Sequence, residues 1–279
     1  MSPRDSDVPR AGESTAQSRG RRTREPTTVE IFSLGHLALR TDPKSIPITV
    51  KRNSQPTALL QLLITAGPHG IDKAEAEFKL WPQAQAEIAD NTLDTTLYRL
   101  RKMLGNSLAI KLTNGIVRLN AAHVRVDAWV FSEEAEAFCT RLQSPSRVVE
   151  SQEISAHCER LFDLYKGHFL ATGQVTPSIV QMRDTLQAKF FRAIKLAGGR
   201  LQTTQEWRHA TQLYERALEL DNLAEEIHRE LMHCHLARGE FADVVCVFRR
   251  CRELLSLVLG VTPSEATEKV YRLALAGKS

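Results

Sequence analysis

The spacing of apolar residues divides the chain into a short β-containing part and a long helical part. Between residues 29 and 52, apolar and polar positions alternate and turn residues interrupt them, which predicts a small antiparallel sheet of short strands. Two helices follow at about 56–64 and 73–80, and Asp72 is placed to cap the second. Beyond residue 123, apolar residues recur at helical spacing and strand signals are few. Seven helices are predicted there: 127–142, 152–165, 177–198, 204–219, 224–237, 240–257 and 263–275.

An amphipathic segment, residues 90–104, lies between the two parts. Asp90 or Asn91 can cap its start, after a polar and helix-poor loop at 82–90. Four residues at helical spacing form one apolar stripe: Leu93, Leu97, Leu100 and Leu104. The opposite arc carries amide, hydroxyl, phenol and cationic groups: Asn91, Thr95, Tyr98 and Lys102, with Thr92 and Arg99 at its edge. Such a face can enter the major groove of DNA, although charged outer faces are also common on helices that meet only solvent.

A β-hairpin is predicted directly after this helix. Gly105 can end the helix in a left-handed conformation. Residues 107–113 and 116–119 read as two strands, and Asn114-Gly115 between them is a strong hairpin signal because both turn positions need a positive φ. The order of sheet, two helices, loop, third helix and hairpin is that of a winged helix.

Positive charge is concentrated in the first part of the chain. The 279 residues carry a formal net charge of +4. Residues 1–28 contain six arginines among Ser, Gly, Pro and Thr, which predicts a disordered basic arm. Residues 29–120 hold 11 Lys/Arg against 8 Asp/Glu, whereas residues 121–279 hold 20 against 21. The excess therefore falls on the segment with the amphipathic helix, as a nucleic-acid contact requires.

Other classes of function have little support in the sequence. No run approaches the ~18 apolar residues of a membrane span. The five cysteines form no C-x-x-C pair and read as reduced thiols in helices. His228, His233 and His235 lack the spacing that puts ligands on one helix face, so no metal and no cofactor is expected. No catalytic arrangement of Ser/His/Asp, Cys/His or paired carboxylates stands out. An enzyme is therefore the least supported interpretation of the sequence.

The first part resembles a known DNA-binding fold. Leu80-Trp81, then Asn91-Thr92-Leu93, then the run from Tyr98 to Gly105 and the wing up to Leu119 are similar to the OmpR/PhoB-type winged helix. In particular, they resemble the version found in the SARP family of bacterial transcriptional activators. One departure is that this wing has Ile116-Val117 where the family usually has a tyrosine.

The second part resembles the domain that follows the winged helix in that family. The residues around Ala210 to Leu220, and Trp207 and Phe241 at a spacing of 34 residues, resemble tetratricopeptide units, which bury their apolar faces by stacking. The stretches from Leu164 to Leu170 and from Leu259 to Ser264 resemble the bacterial transcriptional activation domain. The fold expected is therefore mainly α with a small β part: an N-terminal winged helix followed by an all-α tetratricopeptide-like domain.

This resemblance implies a sequence-specific activator that binds double-stranded promoter DNA, recruits RNA polymerase and is cytoplasmic and nucleoid-associated. We expect Arg99, Thr95 and Tyr98 to face base edges, and Lys102, Arg101 and Thr92 to hold phosphates, with Asn91 on the same arc. Arg101 can instead pair within the domain. On the wing, Lys111, Asn114 and Arg118 are the candidate contacts to backbone or minor groove, and Lys51 and Arg52 have a weaker claim. Gln83, Gln85 and Glu87 lie in the loop that faces polymerase in relatives, although a plain connector is the alternative.

The domain limits expected are 1–28 for the basic arm, 29–122 for the winged helix, 123–275 for the activation domain and 276–279 for a tail. Because one recognition helix spans few base pairs, we expect a homodimer on DNA. The competing reading is a tetratricopeptide-like adaptor whose winged helix binds protein rather than DNA, and the low net charge is its main support.

Overall fold

In the computed structural model, residues 28–42, 44–50, 54–83, 86–144, 149–172 and 175–277 are described, with the backbone alone for residues 86–89. Most of the expected basic arm lies outside these ranges, as do Lys51, Arg52, Gln85 and the last two residues. None of the helices in the described ranges has both the length and the apolar character that a membrane crossing requires.

A four-stranded sheet opens the fold, with the strand order β3-β2-β1-β7. Its strands are β1 (Val29–Phe32), β2 (Ala38–Arg40), β3 (Ile48–Thr49) and β7 (Val124–Val126). The first three are antiparallel, as predicted. The pairing of β7 with β1 is parallel and joins residues almost 100 positions apart, and it was not predicted.

Three helices follow the first three strands and pack against one another: α1 (Gln55–Ala66), α2 (Lys73–Leu80) and α3 (Ala86–Leu104). Ser54 caps α1 by accepting a hydrogen bond from the Thr57 amide, and Asp72 caps α2 as predicted. The predicted start of the third helix at Asp90 or Asn91 is wrong, because α3 begins four residues earlier. The polar segment before Asp90 consists of helix formers such as Ala86 and Glu87, and it extends α3 by a turn.

The wing is a three-stranded sheet with the order β4-β6-β5. Its strands are β4 (Ile71–Asp72), β5 (Ile110–Thr113) and β6 (Ile116–Leu119). Asn114 and Gly115 form the turn with φ of 52° and 75°, as the hairpin prediction requires. The first predicted wing strand was too long, since Ser107–Ala109 is a 3-10 turn that Asn106 caps.

The described second part contains a π-helical turn (Leu255–Leu259) and seven α-helices: α4 (Asp127–Gln143), α5 (Ser151–Leu164), α6 (Pro177–Thr203), α7 (Trp207–Leu220), α8 (Glu225–Ala237), α9 (Phe241–Leu254) and α10 (Glu265–Ala276). Trp207 and Phe241 are each the first residue of a helix, 34 positions apart. The residues two positions before these helix starts, Gln205 and Gly239, share a positive φ. This part is therefore an all-α stack with a tetratricopeptide-like period.

The two parts are joined by buried hydrogen bonds around the loop after β1. The Asp127 carboxylate accepts hydrogen bonds from the Ser33 amide (2.8 Å), the Ser33 hydroxyl (2.6 Å) and the Leu34 amide (3.0 Å). On the other side of this loop, Leu34 forms a β-bridge with Phe169. Asp127 is the first residue of α4, and its carboxylate holds this loop.

Candidate nucleic-acid interface

The leucine stripe and the polar arc of α3 face opposite ways. Leu93, Leu97, Leu100 and Leu104 are at most 2% exposed and belong to the core. On the other side, Asn91, Thr95, Tyr98, Arg99 and Lys102 are exposed, and Tyr98 reaches 67%. The fold therefore leaves this arc on the surface, where a duplex can reach it.

Two exposed cations, Arg99 and Lys102, lie on this arc. Within the described part of the chain, the side chains of Arg99 and Lys102 have no hydrogen-bond or ion-pair partner. Thr95 is exposed and donates its hydroxyl hydrogen to the Asn91 carbonyl at 3.0 Å, which leaves its oxygen able to accept. Thr92 lies at the edge of the arc and is half-buried. The guanidinium and the ammonium group are consequently available to an external anion.

Arg101 differs from its two cationic neighbours. It is half-buried, and its Nη2 donates to the Ile110 carbonyl at the start of β5, at 3.4 Å. The internal partner is thus a backbone carbonyl and not an acid. This contact ties the end of α3 to the wing.

The wing presents a second cationic surface. Lys111, Asn114 and Arg118 are all exposed. Lys111 and Arg118 are cross-strand partners, so both side chains stand on the outer face of the hairpin. The opposite face is formed by residues such as Val117 and Leu119, which are buried in the core.

The expected polymerase-facing loop is only partly a loop. Gln83 is exposed in a turn, and Glu87 lies in α3, in the part where only the backbone is described. Sequence reasoning missed Phe78 in α2, which is 70% exposed. It also missed Lys73, whose ammonium group binds Asp90 and lies 3.6 Å from Asp94. A lysine outside the apolar pattern gives no sequence signal for such a contact.

One group of metal-ligating side chains lies far from the arc, in the second part. Potential ligand atoms of His235, Glu240 and Asp243 lie within 4.8 Å of one another. The Glu240 carboxylate, however, already pairs with Arg238 at 2.6 Å and with His235 at 2.8 Å. Both contacts hold the Glu240 carboxylate within the protein.

The fold and this arc define a winged-helix protein with a tetratricopeptide-like helical domain behind it. A family model described as "Bacterial transcriptional activator domain" matches residues 126–275, more than half of the chain. The chain belongs to this family, and the prediction of a SARP-type bacterial transcriptional activator is confirmed. The family is one of transcription regulators and not of enzymes.

A solved structure supports the fold assignment. The structure described as "Mycobacterium tuberculosis EmbR in complex with low affinity phosphopeptide" matches 89% of this chain with a TM-score of 0.66 and 15% sequence identity. The match spans 65% of the EmbR chain, just under two thirds of its length. No curated protein matches the sequence.

Proposed function

We propose that this transcriptional activator binds double-stranded promoter DNA through the exposed arc of α3 and through the wing. The observation that carries the proposal is the pair Arg99 and Lys102, two exposed cations without a partner among the described residues, on a helix anchored by four buried leucines. A fixed helix with unpaired donors binds a major groove at a small cost in side-chain ordering. The winged helix would comprise residues 29–122 and the activation domain residues 123–275.

Within the interface, Arg99 reads bases together with Thr95 and Tyr98. An arginine fork binds guanine O6 and N7 and contributes about 1–3 kcal/mol of discrimination against other bases. Lys102, Thr92 and Asn91 hold the backbone on the same side. Lys111, Asn114 and Arg118 contact backbone or minor groove beside it. We assign Arg101 to the support of the wing, since its guanidinium is bound to Ile110.

The activator further recruits RNA polymerase through the surface around Gln83, Gln85 and Glu87, and it binds DNA as a homodimer in the cytoplasm, at the nucleoid. The exposed turn at Gln83 supports the recruitment of RNA polymerase through this surface. The homodimer is expected because one recognition helix spans only a few base pairs. Replacing residues 82–85 by Gly/Ser should abolish transcription from the bound promoter in a reconstituted assay while DNA affinity is retained.

The test of DNA binding begins with duplexes selected from a random pool by the purified protein. In fluorescence-anisotropy titrations, Arg99→Ala should reduce the ratio between the affinities for selected and scrambled duplexes. Lys102→Ala should weaken both affinities and lower the salt slope by about 0.9, the value for one phosphate contact. Arg249→Ala is the matched control, because this arginine is also exposed but lies in α9.

Two results would contradict the proposal. If Arg99→Ala left the preference for the selected duplex unchanged, the assignment of Arg99 to base reading would be wrong. If binding of the unaltered protein to every duplex were absent or independent of salt, the adaptor function would be favoured, because contacts to phosphates release counterions.

A further inference from the structure

Lys73 lies at the junction of α2, α3 and the wing. It is the first residue of α2, and its backbone amide donates to the Gly115 carbonyl in the wing turn at 2.8 Å. Its ammonium group forms an ion pair with Asp90 and lies 3.6 Å from Asp94. One residue therefore contacts the wing through its backbone and the recognition helix through its side chain.

The two aspartates lie beside the proposed DNA-binding arc. Asp90 and Asp94 are the acids among the described side chains of α3, and these side chains are 52% and 61% exposed. Asp94 precedes Tyr98 by four positions, so the two residues are neighbours on the helix surface. A carboxylate at this position repels the phosphates that the arc is proposed to bind.

Lys73 is the cation that these carboxylates face. Its side chain is 26% exposed, and the hydrogen bond to Asp90 is the largest cause that raises the pKa of Lys73, so the ammonium group stays charged at neutral pH. Glu77, one turn further along α2, is a third acid of the group, and burial followed by the charge of Asp90 raises its pKa. At the edge of the arc, Lys73 is therefore a single cation that faces three acids: Asp90, Asp94 and Glu77.

We propose that Lys73 sets the affinity for DNA without contacting it, by neutralising Asp90 and Asp94 beside the recognition helix. The inference rests on the proposed DNA binding. Lys73 is then a positioning residue that acts through the charge of two carboxylates. The competing role is a mechanical one, in which the ion pair only fixes α3 against α2.

Substitutions on the two sides of the ion pair separate these roles. Lys73→Met removes the cation, and Asp90→Asn with Asp94→Asn removes the acids at nearly constant shape. Neutralisation predicts that Lys73→Met weakens binding to selected and scrambled duplexes about three- to tenfold at low salt, and that the effect shrinks as salt is added. The double Asn variant should bind both duplexes more tightly than the unaltered protein. The triple variant should also bind them more tightly than Lys73→Met.

The mechanical role predicts a different order. All three variants break the ion pair, so each would bind equally weakly, and addition of the Asn substitutions to Lys73→Met would restore nothing. That result would overturn the inference. A gain of affinity in the double Asn variant cannot come from misfolding, and Lys73→Arg should retain the affinity of the unaltered protein because the charge remains.

Failure of the inference and failure of the proposed function look different. If Lys102→Ala weakens DNA binding while Lys73→Met does not, only the role of Lys73 is refuted. If the unaltered protein shows no salt-dependent binding to any duplex, DNA binding itself is refuted and the role of Lys73 falls with it. Circular dichroism and thermal unfolding of each variant confirm that folded proteins are compared.

Discussion

Lys111 and Arg118 stand directly opposite each other on β5 and β6, so two exposed cations share one face of the wing. Among the described residues, neither has an acidic partner. Like charges directly opposite in an antiparallel pair destabilise the sheet, on a scale of about 0.2–1 kcal/mol. An anion placed between them removes this cost, and a DNA phosphate is such an anion.

Removal of either cation should therefore affect binding and stability in opposite directions. Lys111→Ala or Arg118→Ala should weaken binding to selected and scrambled duplexes alike and lower the salt slope by about 0.9 for each lost phosphate contact. The free energy of unfolding in urea should rise, because the repulsion across the hairpin is relieved. Anisotropy titrations at several salt concentrations measure the first effect.

The control for the wing variants is Lys269→Ala, which removes an exposed cation from α10 at the far end of the chain. It should leave the salt slope unchanged. A loss of preference for the selected duplex in Arg118→Ala would instead show that the wing reads bases, contrary to the expectation of backbone contacts.

Gly198 in α6 is required for the packing of the helical stack. A Cβ atom at this position would overlap the hydroxyl and ring of Tyr214, which is fully buried in α7. The Tyr214 hydroxyl also accepts a hydrogen bond from Gln202 at 3.2 Å, which restricts the movement of the ring. Gly198→Ala should lower the free energy of unfolding by about 1–3 kcal/mol, the usual cost of overpacking a core.

The next residue provides a matched control. Gly199 lies in the same helix, and a Cβ there would meet nothing within 4 Å. Gly199→Ala should raise the free energy of unfolding by about 0.5–1 kcal/mol, because alanine loses less conformational freedom in a helix. Equal effects of the two substitutions in urea denaturation would contradict the role given to Tyr214.

The parts of the interface that depend on local pattern could be read from the sequence. A stripe of leucines at helical spacing identifies the buried face of α3, and the polar arc follows as its opposite. Asn114-Gly115 specifies the hairpin because few other pairs accept two positive φ angles. These features need no knowledge of distant contacts.

The remaining features depend on contacts between distant residues. β7 has three residues and β4 has two, too few for an alternating pattern, and each forms only by pairing with another strand. The start of α3 was misplaced because Asp90 is a good cap by residue type, whereas in the structure it lies inside the helix and pairs with Lys73. The contact of Arg101 with Ile110 likewise depends on where the wing folds back.

Asp127 should be the residue whose loss most weakens the connection between the two parts. Ser33 and Leu34 are buried, and their amides donate to the Asp127 carboxylate. Asp127→Ala leaves these donors without an acceptor, and each buried unpaired donor costs roughly 1–3 kcal/mol. Hydrogen exchange should accelerate at residues 33–35 before it accelerates in the α7–α8 pair.

The comparison variant is Asp127→Asn, which keeps one acceptor oxygen and should cost less than Asp127→Ala. Ser33→Ala removes the hydroxyl hydrogen bond alone and should cost less again, about 0.5–1.5 kcal/mol. If Asp127→Ala unfolded with the same urea midpoint as the unaltered protein, the loop after β1 would not depend on this carboxylate.

His228 in α8 should make stability fall in mild acid. This residue is 1% exposed, and its Nε2 donates to the Asn222 carbonyl at 2.9 Å. Nδ1 is buried and has no partner among the described residues, so a proton added there would meet no acceptor. Burial is the main cause that lowers the pKa of His228, and the charge of Arg250 acts in the same direction. The Asn222 hydrogen bond and the charges of Glu225 and Asp221 oppose it.

The direction of the pH effect follows from this lowered pKa. The unfolded chain takes up the proton near its ordinary pKa of about 6.5, before the folded protein does. The contribution of neutral His228 to the free energy of unfolding is therefore fully present above about pH 6.5. It is lost as the pH falls from there through the lower pKa of the folded state. For one proton the slope cannot exceed about 1.4 kcal/mol per pH unit.

Urea denaturation between pH 8 and pH 5 measures the effect, with His228→Gln as the comparison. The glutamine amide can still donate to the Asn222 carbonyl, but it does not titrate in this range. Because the other titrating groups are common to both proteins, including His157 with its similarly lowered pKa, their contributions cancel in the difference. The stability advantage of the unaltered protein over His228→Gln should shrink as the pH falls below about 6.5. A constant difference over the whole range would show that His228 is protonated equally in the folded and unfolded states.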